Sequence, residues 1–113
     1  MLMQFDSFLF PYNPRKIELI KKKNAVSYLT LDGKISSKNY GDEPMVVKCQ
    51  GELYGEKGRK IFDGLGKLFE EGKSAPLSIP FESPFYARLK KLSLLGEGAG
   101  DIINFYAEFE QSN

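Results

Sequence analysis

Hydrophobic and polar residues alternate in short runs along most of this chain. Within residues 45–54, four apolar side chains fall on odd positions and three polar side chains fall on even positions: Met45, Val47, Cys49 and Leu53, and Lys48, Gln50 and Glu52. This period of two is typical of a strand that buries one face. Shorter runs of the same kind cover residues 16–22, 25–31 and 76–80. The clearest alternation, in residues 101–110, predicts these inward positions: Ile103, Phe105, Ala107 and Phe109.

Residues 57–71 follow a different period. Apolar side chains recur there at the spacing of one helical stripe, at Ile61, Phe62, Leu65, Leu68 and Phe69. Gly72 stands where a helix would end in a left-handed residue. Gly64 and Gly66 each cost the helix up to about 1 kcal/mol relative to alanine, which indicates either a close approach of another backbone or simple tolerance. A lone helix of this length is marginal in water, so we expect the stripe to dock on a sheet.

The run at residues 85–95 changes phase in its middle. Its apolar positions are Phe85, Ala87 and Leu89, and then Leu92 and Leu94. A β-bulge near Lys90 and Lys91 would explain the slip, as would a twisted strand that crosses from one sheet to the next.

These elements predict a mainly β fold in a single domain, residues 1–113. We expect two packed antiparallel sheets, as in a sandwich or barrel, with one α-helix at about residues 57–71 on the flank. The length of 113 residues allows one hydrophobic core and is too short for two.

Residues 34–43 form the longest stretch without an apolar period, and Asp32 and Gly33 predict a turn just before it. We expect a loop, and loops often carry contacts to partners. The candidate interface residues are Lys34, Ile35, Ser36, Ser37, Lys38, Asn39 and Tyr40. A hairpin tip with no binding role is an equal alternative.

The amino-acid composition argues against a catalytic site, a metal site or a cofactor site. The chain contains no histidine and one cysteine, Cys49, which falls on the apolar face of its strand. We therefore expect a buried thiol without a catalytic base, no metal site and no cofactor. Glycine-rich segments fail the phosphate-binding patterns, because Arg59 follows Gly58 and Asp101 replaces a required glycine. The sequence predicts no catalytic residues and a protein that is not an enzyme.

Charge and hydropathy restrict the partners. The formal net charge is +1, so no overall field draws the chain to nucleic acid or to an anionic membrane. The first ten residues make a poor signal peptide and no apolar run reaches transmembrane length. We expect a soluble protein made in the cytoplasm. The basic and aromatic group Tyr86, Arg88, Lys90 and Lys91 fits a single-strand binding platform, but a solvated face balanced by acids is favoured.

The order of these motifs resembles a known family. The relevant features are the Pro11–Pro14 turn, the spacing of Gly51, Leu53 and Gly55, and a closing strand that alternates aromatic and acidic residues. The chain is similar to small tail and baseplate proteins of contractile phages, prophages and phage-tail-like bacteriocins. It resembles in particular the tube-fold domain that begins the DNA circularisation proteins, which are baseplate hub or adaptor components.

The resemblance implies two nearly orthogonal sheets with one helix alongside, and a protein without catalysis. It implies a ring around a tube axis, built from copies of the chain, most simply a hexamer, with other tail or baseplate proteins as partners. The protein would be assembled in the cytoplasm and would end in the virion or tail-like particle, with no need of nucleic acid. The residues alone leave two other functions open: a monomeric β-barrel module that binds single-stranded nucleic acid or glycan, and a small enzyme of unrecognised type.

Overall fold

The computed structural model describes residues 1–29, 35–96 and 102–112, and it is mainly β with one helix, as the sequence predicts. In chain order the elements are β1 Gln4–Phe5, β2 Phe8–Leu9, β3 Lys16–Ile20, β4 Lys23–Leu29, β5 Ile35–Asp42, β6 Val46–Tyr54, α1 Gly55–Glu71, β7 Ala75–Ile79, β8 Glu82–Gly96 and β9 Ile102–Gln111. The predicted turn at Asp32 and Gly33 lies outside the described residues. No helix in the described ranges is both long and apolar enough to span a bilayer.

Seven strands form one antiparallel sheet in the order β2-β1-β7-β8-β9-β6-β3, and β4 pairs with β5 in a separate ribbon. The division into two packed sheets that the sequence suggested is replaced by one continuous sheet. The reason is β8, which pairs with β7 along its first half and with β9 along its second half. The register of β8 on β9 shifts between Leu89 and Lys91, which confirms the predicted bulge.

The sheet curves strongly around its core. Phe5 on β1 and Phe109 on β9 are separated by three strand spacings, about 14 Å in a flat sheet, yet their ring centroids lie 5.0 Å apart. Of the four inward residues predicted on β9, Phe105, Ala107 and Phe109 are buried, and Ile103 packs partly buried against the core. The core consists of Met3, Phe5, Phe10, Val47, Cys49, Leu53, Leu65, Ala75, Leu77, Ile79, Ala87, Leu89, Phe105, Ala107 and Phe109.

Helix α1 closes the concave side of the sheet. Leu65 is fully buried, and Ile61, Phe62 and Leu68 pack partly buried against the core. Phe69 remains 40% exposed, so the predicted stripe docks along most of its length and ends at the rim.

The helix ends as predicted. Gly72 adopts φ 63°, and its N–H donates to the carbonyl of Leu68 over 3.2 Å.

The close backbone approach in the helix falls at Gly58 rather than at the glycines suggested by the sequence. A Cβ at Gly58 would lie 2.8 Å from the carbonyl carbon of Leu53. At Gly64 the nearest group is the ring of Phe8, at 3.3 Å, and Gly66 has nothing within 4 Å. Gly66 is therefore tolerated, whereas Gly58 is required by the tight turn from β6 into α1.

The segment 34–43, predicted as a loop, is mostly strand. Ile35–Asp42 is β5 and pairs with β4, with Ser37 opposite Ser27. The prediction failed because neither strand of the ribbon packs substantially against α1 or the seven-stranded sheet. A ribbon without a face on the core needs no apolar period, so backbone pairing alone defines it.

The ribbon extends the β3–β6 pair beyond the body of the molecule. The pairing of Ile20 with Val46 continues through a hydrogen bond from the N–H of Glu43 to the carbonyl of Lys22. The molecule measures 67 × 29 × 26 Å, and its radius of gyration is 18.4 Å. A compact domain of this length has a radius of about 13 Å. The β4–β5 ribbon contributes to this elongated shape.

Candidate assembly surfaces

The described sheet has two open edges. Strand β3 is hydrogen-bonded to β6 on one side, and within the described residues no strand covers its other side. The opposite edge is β2, which is two residues long and pairs with β1. Open edges offer unpaired N–H and C=O groups, which other strands can bind. The two edges differ in length and sequence, so they can supply the two unlike patches of a head-to-tail contact.

The predicted interface residues lie in the ribbon. Lys34 falls outside the described residues. Residues Ile35, Ser36, Ser37, Lys38, Asn39 and Tyr40 occupy β5. The structure thus places six of the seven candidates on β5, which makes no substantial contact with α1 or with the seven-stranded sheet.

The root of the ribbon is tied to the body by a few polar contacts. The N–H of Gln111 donates to the carbonyl of Met45 over 2.8 Å, and its side-chain oxygen accepts from the N–H of Met45 over 3.1 Å. Lys21 pairs with Glu82 of β8 at 3.4 Å. A cleft of 390 Å³ lies here, lined by Lys21, Lys22, Lys23, Glu43, Met45 and Gln111. These contacts fix the base of the ribbon to the sheet.

The convex face of the sheet, turned away from α1, carries charges of alternating sign. Across β8, β9, β6 and β3, one row of facing residues reads Lys91, Glu108, Lys48 and Glu18. The Lys91 ammonium also lies 5.6 Å from the centre of the Tyr106 ring. Facing pairs of opposite charge stabilise a sheet modestly. The row as a whole is neutral.

The basic and aromatic group noted in the sequence belongs to this balanced face. Arg88 faces Glu110, and Lys91 faces Glu108. Phosphate binding requires cations that are not already neutralised by neighbours. The arrangement therefore favours a solvated, balanced face over a single-strand platform.

An exposed apolar and aromatic cluster lies on the same face, at the end of the sheet far from the ribbon. We call it the far-end patch, and its members are Tyr12, Tyr54, Leu95 and Ile102. Tyr54 faces Ile102 across β6 and β9, and the Tyr12 and Tyr54 rings are 6.0 Å apart. Leu95 lies one row inward, opposite Asn104. Shallow clefts of 240 and 380 Å³ adjoin the patch and share Arg15 as a lining residue.

Hydrogen bonds orient the tyrosines of the convex face. The Tyr54 hydroxyl donates to Glu52 over 2.8 Å, and the Tyr106 hydroxyl donates to Glu108 over 3.0 Å. The hydrogen bond to Glu52 raises the pKa of Tyr54, and its negative charge acts in the same direction. Burial, followed by the hydrogen bond to Glu108, raises the pKa of Tyr106. Both phenols therefore stay neutral donors over the physiological range.

Cys49 is buried as the sequence predicts, at 1% exposure. Burial raises the pKa of its thiol to about 12. A protonated, enclosed thiol is a poor nucleophile, which leaves Cys49 as a packing residue.

The far-end patch was not predicted from the sequence. One signal was available: Tyr54 and Leu95 occupy positions that the local period assigns to the outer face, where a polar residue is usual. Tyr12 could not be found in this way, because it lies in an irregular segment and reaches the patch only through the fold.

No protein-family model matches this chain, and no match was found among curated proteins. Solved structures do match. A chain from the tail of an empty gene transfer agent particle, refined with C6 symmetry, superposes with a TM-score of 0.70 at 12% identity, over 99% of this chain and 90% of that one. A chain from the virion of the native gene transfer agent gives a TM-score of 0.70 at 11% identity, with the same coverage.

The Dit protein of phage SPP1, described as a hub adsorption apparatus of phages that infect Gram-positive bacteria, superposes with a TM-score of 0.66 at 13% identity. The match covers 99% of this chain and 49% of Dit. The chain thus shares its fold with these phage tail and hub proteins, which confirms the resemblance noted in the sequence.

Proposed function

We propose that this protein is a structural component of a phage or phage-like tail, a tube or baseplate adaptor that assembles with copies of itself into a ring. The observation that supports this most is the superposition, over nearly the whole chain, on a protein from a tail with C6 symmetry. A hexameric ring is the corresponding expectation. Other tail or baseplate proteins would bind its two faces, and the finished assembly would reside in the particle.

The open edges of the described sheet provide surfaces through which neighbouring copies can pair in a ring. Repeated head-to-tail contacts close into a ring when the rotation between neighbours permits it. Strand β3 has five residues and one edge that no other described strand covers, and β2 and β1 lie at the other end of the same sheet. Pairing β3 of one copy with the β2 edge of the next would continue the sheet from subunit to subunit. The role requires no catalysis, and we propose none.

The test is a proline pair on β3. Successive residues of a strand direct their N–H groups to opposite edges, so Ile17→Pro and Glu18→Pro remove one inward and one outward donor. We expect one variant to lose stability, because it breaks the pairing with β6. The other should stay folded and fail to form rings in negative-stain images and in solution mass measurements at high protein concentration.

A folded outward variant that still forms rings would exclude the β3 edge as the contact. A wild-type chain that stays monomeric even with its flanking tail proteins would contradict the ring itself. Salt-dependent binding of oligonucleotides to that monomer would favour the binding-module alternative.

A further inference from the structure

Residues 1–13 form a small unit of their own, which we call the N-terminal arm. Strands β1 and β2 pair within it, and the N–H of Phe10 donates to the carbonyl of Met3 over 3.0 Å. The side-chain oxygen of Asn13 accepts from the N–H of Met3 over 2.8 Å, and its side-chain N–H donates to the carbonyl of Met1 over 2.9 Å. These bonds run within the arm, so the arm can keep its shape when it moves.

Backbone pairing ties the arm to the sheet at few positions. Strand β1 pairs with β7 at two positions, Gln4 with Ser78 and Phe5 with Leu77. By comparison, β6 pairs with β9 at nine positions. A short pairing opens more readily than a long one, because fewer hydrogen bonds are broken together.

Buried side chains supply the rest of the attachment. Met3, Phe5 and Phe10 are at most 2% exposed. The Phe5 ring lies 5.0 Å from the Phe109 ring, and the Phe10 ring lies 6.2 Å from the Phe105 ring. An arm with three such apolar residues is stable only where they stay buried, either in its own molecule or in another copy.

The connection from the arm to β3 crosses the whole sheet. Strands β2 and β3 follow each other in the chain, yet they lie at opposite edges of the sheet, whereas consecutive strands are usually neighbours. The strand order places six spacings between these edges, about 29 Å in a flat sheet. The chain from Leu9 to Lys16 spans about 24 Å at most. The connection can therefore be made within one copy only because the sheet is curved.

Pro14 and Arg15 join the arm to β3 and are held against β6. A Cβ at Gly51 would lie 3.1 Å from the Cα of Pro14 and 3.3 Å from the backbone nitrogen of Arg15. A proline also restricts the residue before it, here Asn13, to an extended conformation. The joint is therefore a fixed point from which the arm extends.

The proposed ring gives the arm a second place to bind. Strand β3 is the strand that would contact the next copy, and the arm leads directly into it. The arm therefore begins at the boundary between two copies. Across that boundary lies the edge that the next copy forms with β2, β1 and β7. An arm that binds this β7 makes the same contacts as in its own molecule, so exchange needs no new surface.

We propose that the N-terminal arm is exchanged in the ring, so that residues 1–13 of each copy bind β7 of the neighbouring copy. The inference rests on the proposed function, because it requires β3 of one copy to lie beside the β7 edge of the next. Exchange places Met3, Phe5 and Phe10 of one copy in the core of its neighbour. Buried apolar contacts then hold the ring together, in addition to the pairing of short edges.

Disulfide trapping tests the exchange, because Cys49 is buried and leaves engineered cysteines as the reactive thiols. Gln4 and Ser78 face each other on antiparallel strands, where facing Cα atoms are about 4.5–5.5 Å apart, within the range that a disulfide bridges. Gln4→Cys is mixed, as the full chain, with Ser78→Cys that carries a size tag. The mixture is assembled under reducing conditions and then oxidised. We expect a covalent mixed dimer on a denaturing gel, since neither chain can form this bridge alone.

Lys48→Cys with the same tag is the matched control. Lys48 lies on β6, where it faces Glu108 of β9, so we expect no mixed dimer with Gln4→Cys. Rings without the mixed dimer between Gln4→Cys and Ser78→Cys would overturn the exchange and leave the proposed function standing. A mixed dimer of equal yield with Lys48→Cys would indicate random collision and would also overturn the exchange.

A double variant, Gln4→Cys with Ser78→Cys, separates the exchange from the ring. When it is oxidised as a dilute monomer, the bridge holds the arm on its own β7. We expect rings to be lost in negative-stain images and to return on reduction. Rings that form equally well from the oxidised monomer would overturn the exchange alone. Absence of rings from the wild-type chain with its flanking tail proteins would overturn both the exchange and the proposed function.

Discussion

The seven-stranded sheet and the β4–β5 ribbon use the same antiparallel hydrogen bonding, but they differ in what surrounds it. In the sheet, one face of each long strand is buried under α1 or against the curved neighbouring strands. In the ribbon, the strands have each other and no further layer within the described structure. Net stabilisation by one hydrogen bond is about 1 kcal/mol, whereas full burial of one large apolar side chain contributes about 1.5–3 kcal/mol.

The difference separates two kinds of residue. Substitutions at the buried positions of the sheet act on folding, because they remove buried area or break close packing. The ribbon makes no substantial contact with the rest of the described chain, so we expect substitutions there to act on contacts with other molecules. A folded protein that fails to assemble is therefore the expected phenotype of ribbon changes.

The largest expected effect is the loss of a core aromatic. Phe109 is fully buried and packs on Phe5, so Phe109→Ala should lower the free energy of unfolding by about 3–5 kcal/mol. Ser37→Ala in the ribbon is the control and should change it by less than about 0.5 kcal/mol. Urea unfolding followed by circular dichroism measures both. Equal losses at the two positions would mean that the ribbon shares the core.

A glycine pair tests the docking of the helix. Gly58→Ala forces a Cβ to within 2.8 Å of the Leu53 backbone, and we expect a loss of about 1–3 kcal/mol. Gly66→Ala meets nothing within 4 Å and should raise the free energy of unfolding by up to about 1 kcal/mol. Thermal melts of the two variants should shift in opposite directions. A shift in the same direction would contradict the assigned contact at Gly58.

Alkaline pH provides a further comparison. The unfolded thiol ionises near pH 8.5, whereas burial raises the pKa of Cys49 to about 12 in the folded chain. Below about pH 8.5 both states keep the proton and stability is unaffected. As pH rises toward 12 the unfolded state loses the proton first, so stability falls by up to about 1.4 kcal/mol per pH unit.

Cys49→Ala removes this dependence and retains the other titrating groups. Urea midpoints at pH 7.5 and pH 10 should therefore fall further for the wild type than for Cys49→Ala. Parallel changes in the two proteins would show that Cys49 is open to solvent.

Shortening the ribbon should have the smallest effect on stability. Residues 25–28 and 36–39 face each other in the register, and removing both groups keeps the remaining pairs aligned. Halving a loop changes its closure entropy by about 0.6 kcal/mol, so the free energy of unfolding should stay within about 1 kcal/mol of wild type. Solution mass should show that assembly is lost. Assembly that survives the double deletion would remove the ribbon from the interface.

The sequence predicted the elements wherever a core imposed a period. Strands β6 and β9, the apolar stripe of α1 and the phase change in β8 were all visible, because burial selects apolar side chains at regular intervals. Strand β5 was missed for the same reason: it pairs with β4 and makes no substantial contact with the rest of the described chain, so no apolar period is imposed on it.

The arrangement of distant segments in the fold could also not be predicted from the sequence. The alternation of β8 indicated a bulge, but it could not decide between two sheets and one curved sheet. The far-end patch depends on the register that places Tyr54 beside Ile102 and on the fold that brings Tyr12 to them. Such neighbours are set by pairing between distant segments, which a local pattern does not contain.

The bulge in β8 contributes to the curvature of the sheet. Lys90 is the extra residue, since Leu89 and Lys91 face the consecutive residues Phe109 and Glu108. A chain without Lys90 would keep each later side chain of β8 on its present face, because the alternation would simply become regular. It would lose the local bend and added twist that a bulge gives a strand. The local bend thus depends on the number of residues in β8 rather than on their side chains. We expect a deletion of one residue to change the curvature of the sheet, whereas most substitutions in β8 would leave it unchanged.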